Sequence, residues 1–201
     1  MSDKYFAPSF RIAFNFGSNF LQNVFIEIYS DLIIYVHLLC MYSDDFIEEL
    51  INCPKIIVES PKEVKDGTRV GFTKRVFTLV SVDGIHNFNG FITQNLTFQE
   101  NFSIGLAYNP KEEKGKIVLL RCNGQHGGTK VFPHHAFCHI HKATAERINN
   151  NLKPEGKIDI TEEYSTIETA IQFFVKRIGL TPNDKQKHFP PPNTQMDLFT
   201  S

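Results

Sequence analysis

Five of the eight histidines, His126, His134, His135, His139 and His141, fall within one short stretch, with Cys122 and Cys138 beside them. Imidazole titrates near neutrality, so such a group offers either acid and base groups or neutral nitrogen ligands. If residues 137–141 form a strand, alternation puts His139 and His141 on one face while Cys138 and Ile140 point to the other. A Gly-rich segment can bring in His126 or His135. Three imidazoles drawn from His126, His135, His139 and His141 could then hold Zn²⁺ or another transition metal and leave a position open for water. A second chemistry needs no metal: His139, His141 and His126 share acid and base roles in phosphodiester cleavage, with Arg121, Lys130 or Lys142 stabilising the negative charge that develops. The third alternative is structural, with imidazoles on an open sheet face hydrogen-bonded to their neighbours. Cys122 and Cys138 read as small buried hydrophobes. The sequence carries no P-loop, G-x-S-x-G, H-E-x-x-H or dinucleotide fingerprint.

Extended segments must position these histidines. From Arg69, the residues Val76, Phe77, Leu79, Val80 and Val82 run into Asp83-Gly84, which predicts a hairpin with a two-residue turn. The return strand covers about Ile85 to Gln94. A third strand alternates Phe102, Ile104, Leu106 and Tyr108 with Ser103, Gly105 and Ala107, which predicts one packed face. Lys116 to Cys122 and Phe137 to His141 read as two more strands, giving an antiparallel meander of about five. Ser43 with Asp44 and Asp45 predicts a short helix before the sheet. A second helix is expected at Ala143 to Asn151. A third, at Ser165 to Ile178, carries a Ser165/Glu168 capping box, ends at Gly179 and packs on the sheet. The expected class is α+β.

Three regions follow. Residues 1–40 are rich in Phe, Ile and Asn and show no clear period; they read either as an extension upstream of Met41 or as an addition to the core. Residues 41–180 form the domain. Residues 181–201, with Pro190-Pro191-Pro192 and a polar composition, read as a disordered tether. The charge is nearly balanced, with 21 basic and 22 acidic side chains, so the overall field favours neither nucleic acid nor anionic lipid. Cys40, Cys53, Cys122 and Cys138 lack C-x-x-C spacing, and no secretory signal or spanning stretch is visible. Reduced thiols in a cytoplasmic protein, away from membranes, are expected.

The phrases Asn101-Phe-Ser-Ile-Gly-Leu106, Leu120-Arg-Cys-Asn-Gly-Gln-His-Gly127 and His139-Ile-His-Lys-Ala-Thr144 resemble an uncharacterised bacterial family known only as a domain of unknown function, over residues of about 41–180. Phe132-Pro-His-His135 is similar, more distantly, to the histidine segment of TumE-type toxin proteins. That likeness implies a toxin–antitoxin or mobile-element setting, in the first case with an antitoxin partner and RNA as target. Gln195-Met196-Asp197-Leu198-Phe199 resembles the peptide by which bacterial proteins bind the DNA polymerase sliding clamp, departing from its pattern in Met for Leu. Leu198 and Phe199 would fill an apolar pocket, Gln195 would hydrogen-bond at its rim and Met196 would pack beside them. Two functional classes therefore stand: an interaction or defence-type factor docked on the clamp by its tail, and a small histidine-dependent ribonuclease toxin.

Overall fold

The computed structural model describes residues 42–65, 70–111 and 115–192. The chain divides between Met41 and Tyr42, and the described residues belong to the second unit. The expectations for residues 1–40 and for Gln195–Phe199 lie outside the described residues.

Seven strands form one sheet whose spatial order is the sequence order: β1 (Lys55–Glu63), β2 (Phe72–Ser81), β3 (Asn87–Asn95), β4 (Phe102–Asn109), β5 (Ile117–Asn123), β6 (His139–Ala143) and β7 (Glu155–Ile160). Every neighbouring pair is antiparallel. The expected α+β class and meander hold, but with seven strands in place of about five. The two additions, β1 and β7, are the edges. Edge strands carry charge and proline that blunt pairing with other chains, and Lys55–Glu63 contains Pro61.

The hairpin expected at Asp83-Gly84 forms between β2 and β3, with a longer link than two residues. The Gly84 amide donates to the Ser81 carbonyl at 2.8 Å with φ 76° at Gly84. Asp83 keeps a negative φ. Its carboxylate instead accepts from the Ile85 amide at 2.9 Å and from the Ser81 hydroxyl, a side-chain turn that replaces the left-handed backbone.

Among the described residues four α-helices follow one another: α1 (Asp44–Asn52), α2 (Ala145–Asn149), α3 (Ile167–Arg177) and α4 (Pro182–His188). The Ser43 hydroxyl caps α1 by accepting from the Phe46 amide at 3.1 Å, and Ile47, Leu50 and Ile51 are buried beneath it. In α3, Ile167, Ala170, Phe174 and Val175 form the buried stripe. Its capping box is Thr166/Thr169, one residue on from the expected Ser165/Glu168. The helix expected at 143–151 is only the single turn of α2.

These helices cover one sheet face, where Phe77, Leu79, Phe88, Phe102, Ile104, Leu106, Leu120 and Cys122 form the core. Lys142 on β6 reaches the same side, where it and Arg177 of α3 both donate to Glu48 of α1. The alternate residues of the strands face the other way, and this second face carries the histidines.

The start of the expected tether is ordered. Thr181 caps α4 by accepting from the Asp184 amide, and the buried Asp184 carboxylate accepts from the Ile57 amide of β1 at 3.1 Å. Phe189 is 5 % exposed and meets Phe77 edge to face at 5.3 Å, a burial that contributes about 2 kcal/mol. Residues 182–189 therefore belong to the domain.

Beneath this corner lies Lys55, 0 % exposed. Its ammonium donates to the carbonyls of Ile51, Cys53 and Ile178 at 2.9, 2.8 and 3.1 Å and stands 4.6 Å from the centre of the Phe88 ring. Carbonyls at the ends of α1 and α3 supply the negative pole that a buried cation needs.

Candidate metal centre

The β5–β6 register sets Arg121 beside His141 and Asn123 beside His139, all on the face away from the helices. Strand alternation thus points both β6 histidines the same way. The connection between the two strands folds back over them. Its end is a short 3₁₀ turn, Pro133–Ala136, that carries His134 and His135, and the His126 amide donates to the His135 carbonyl at 2.9 Å. Phe132 stacks on His135 with ring centres 5.2 Å apart and planes 13° from parallel.

All five imidazoles meet. Ring centres are 4.1 Å apart for His126 and His135, 5.1 Å for His126 and His139, 5.0 Å for His134 and His139, and 5.0 Å for His139 and His141. Two groups bring their ligand nitrogens within 4.8 Å of one another: His126, His135 and His139, and His134, His139 and His141. Either could hold a metal ion, and His139 is common to both. The expected set of His126, His135, His139 and His141 is thereby divided, and His134, which it omitted, joins His141. His126 and His141, expected to act together with His139, fall in different groups.

The pair on β6 is less accessible than an open sheet face implies: His139 is 0 % and His141 7 % exposed. What covers them includes the other imidazoles. His139 Nδ1 lies 2.8 Å from the Phe137 carbonyl and so carries the proton, which leaves a lone pair on Nε2. That lone pair accepts from the Asn123 amide nitrogen at 3.2 Å, while the Asn123 oxygen accepts from the Ser103 hydroxyl at 2.7 Å. His126 Nδ1 likewise donates to the Gly124 carbonyl at 2.9 Å. From the helix side, the buried Tyr164 hydroxyl donates to the His139 carbonyl at 2.9 Å, tying the β6 backbone to the core.

Burial drives the pKa of His139 down to about 4, against the Phe137 hydrogen bond, and neighbouring imidazoles push in the same direction. His141 falls to about 3 through burial, then through Arg121 and His139. Burial and His126 also lower His135. Neutral imidazole is the form that ligates metal.

The centre lies at one end of a cavity of about 550 Å³ whose lining includes Arg121, Phe132, Lys153 and Glu155. Glu155 joins the two cations, with Arg121 Nε at 2.8 Å and Lys153 Nζ at 3.0 Å. Of the expected cations, Arg121 lines this cavity, whereas Lys142 is paired with Glu48 on the opposite face. Cys122 and Cys138 are buried free thiols, and burial raises the Cys122 pKa to about 12. Both are poor nucleophiles in that state.

Asn123, Ser103, Tyr164, Lys153 and Glu155 are members of the site that the sequence did not reveal. Asn123 could have been found from its alternation with Arg121 on the strand; Tyr164 carries no local signal. Among the described residues, no helix is long and apolar enough to cross a membrane. Comparison with protein-family models, curated proteins and solved structures found no match.

Proposed function

We propose that the folded domain is a metal-dependent phosphodiesterase that uses a zinc-type centre on the open face of its sheet. The observation that carries this reading is the paired orientation of His126 and His139. Each donates Nδ1–H to a backbone carbonyl, the arrangement by which metal-binding histidines are commonly fixed in tautomer and direction. With His135, they form the group whose rings are best secured by the fold. An all-imidazole donor set suits Zn²⁺, and closing it around an ion would bring the nitrogens to about 3.4 Å from one another.

A bound ion would activate water and polarise a phosphoryl oxygen. Ligation by His126, His135 and His139 leaves His134 in the same cluster to take up a proton, with the neutral His141 beside it, while Arg121 and Lys153 favour an anionic ester at the mouth. The decisive experiment measures metal in protein purified without a histidine tag and hydrolysis of an activated phosphodiester. About one Zn²⁺ per chain, lost together with hydrolysis in His126→Ala and His139→Ala, supports the assignment. Full hydrolysis in a chelated sample or in both variants overturns it.

A second reading concerns location. The motif at Gln195–Phe199 favours docking on a bacterial sliding clamp, with α4 and Phe189 holding the start of the tail to the domain. The two activities are separable, because the proposed clamp anchors are Leu198 and Phe199 and the proposed metal ligands are histidines.

A further inference from the structure

A second cavity, of about 480 Å³, adjoins the metal centre on the same sheet face. Ser103 and Arg121 line both. Its floor is a cross-strand row that register alone defines: Val76 opposite Phe91, Phe91 opposite Gly105, Gly105 opposite Arg121, and Arg121 opposite His141. Phe91 leans over Gly105, where a Cβ would fall 2.2 Å from the tip of its ring. The absent side chain lets the aromatic ring lie along the sheet as a platform. With three strand spacings between Phe91 and His141, the platform stands about 14 Å from the centre.

Beside the Asn89 amide, the hydroxyls of the lining are one-sided. The Ser103 hydroxyl donates to Asn123, the Thr93 hydroxyl to the Ser103 carbonyl and the Thr78 hydroxyl to Glu59. Their protons are engaged within the protein, so the oxygens offer acceptor lone pairs to a ligand. Lys74, Lys116 and Arg121 add positive charge in a chain whose net charge is −1. Among the described residues the one carboxylate on this lining, Glu59, is paired with Lys62 at 3.2 Å.

An aromatic platform, hydroxyl acceptors and cations in line with a hydrolytic centre match a base, ribose hydroxyls and phosphates. We propose that this cavity is a nucleotide subsite for single-stranded RNA, with one base stacked on Phe91, its ribose facing Thr93 and Ser103, and the backbone running past Arg121 toward the histidines. The inference names the substrate class of the phosphodiesterase reading and rests on it for cleavage, though not for binding. Duplex RNA has no unstacked base for Phe91, and DNA lacks the 2′-hydroxyl donor.

The test is fluorescence anisotropy of the full chain with a labelled hexauridylate in EDTA, where binding is read without cleavage. Phe91→Leu, which keeps apolar bulk, should weaken binding roughly ten-fold or more, and Phe91→Trp should retain it. Lys74→Ala with Lys116→Ala should lower the slope of log affinity against log salt by about 1.4 in magnitude. The deoxy hexamer and a duplex should bind several-fold more weakly. Wild-type affinity in Phe91→Leu, equal affinity for the deoxy hexamer, or no binding by the wild type overturns the proposal, even if metal-dependent hydrolysis is found. Phe91-dependent RNA binding without hydrolysis upholds the subsite and removes the enzymatic reading alone.

Discussion

The Asn123 amide points its nitrogen at His139 Nε2 from 3.2 Å, occupying the lone pair that an ion would use. Binding at His139 must therefore break one hydrogen bond and leave a buried amide donor without its partner. Asn123→Ala removes that competition while Phe137 still orients the ring. Zn²⁺ affinity should rise about three- to ten-fold, as expected for losing one hydrogen bond of ordinary strength. Competition titration with a chromophoric chelator measures this; unchanged affinity would show that the hydrogen bond does not compete, and weaker affinity that Asn123 assists ligation.

The pH dependence of the metal-free protein has a definite sign. His139 and His141 have folded pKa values near 4 and 3, below the ordinary 6.5, so between those limits the unfolded chain binds more protons than the folded one. Stability contributed by the neutral pair is complete above about pH 6.5 and is lost progressively as pH falls toward 3. Each histidine contributes a slope of about 1.4 kcal/mol per pH unit at most. Urea midpoints for wild type and a His139→Gln/His141→Gln double variant should converge as pH falls through this window. Parallel curves would refute the linkage.

Lys55 tests how the helix ends are held. Lys55→Met keeps the apolar stem but leaves the Ile51, Cys53 and Ile178 carbonyls without their shared donor. A loss of about 3 kcal/mol or more is expected, seen as a lower midpoint in thermal or urea unfolding. Metal affinity should be unaltered, since the lysine lies on the helix side of the sheet.

For the tail, a synthetic peptide of residues 193–201 should bind the sliding clamp of a bacterial host with roughly micromolar affinity. It should also compete with the full chain. Replacing Leu198 and Phe199 by Ala should abolish binding in a surface-based assay without changing the unfolding midpoint. Binding by the double variant at wild-type strength would end this reading.

The sheet's interior was legible because Phe102 to Tyr108 of β4 alternate large apolar residues with small ones and β5 opens on a short apolar run, Ile117 to Leu120. Its edges were not, because Lys55–Glu63 and Glu155–Ile160 are mostly exposed and their charges erase the alternation. The helix α4 carried its own signature, Thr181-Pro182 with Asp184 following, but the polar run around it reads as unstructured chain. At the centre, the number of histidines and the shared face of His139 and His141 could be read directly. Their division into two groups, the burial of the β6 pair and the Asn123–Ser103 relay depend on how the β5–β6 connection folds back, which no local period encodes.

The order of the strands bears on how the chain acquires its shape during synthesis. Each strand from β2 to β7 can pair with the one just made, so the sheet can grow outward with little search. Lys55 cannot complete its burial this way, because one of its carbonyls belongs to Ile178 and its strand's next partner is Asp184 of α4. Until those residues arrive, the amine near the start of the domain keeps its water and the first edge stays open. Sealing that corner waits for Ile178 and Asp184, and a chain cut short before Ile178 would carry an unsealed edge available to other strands.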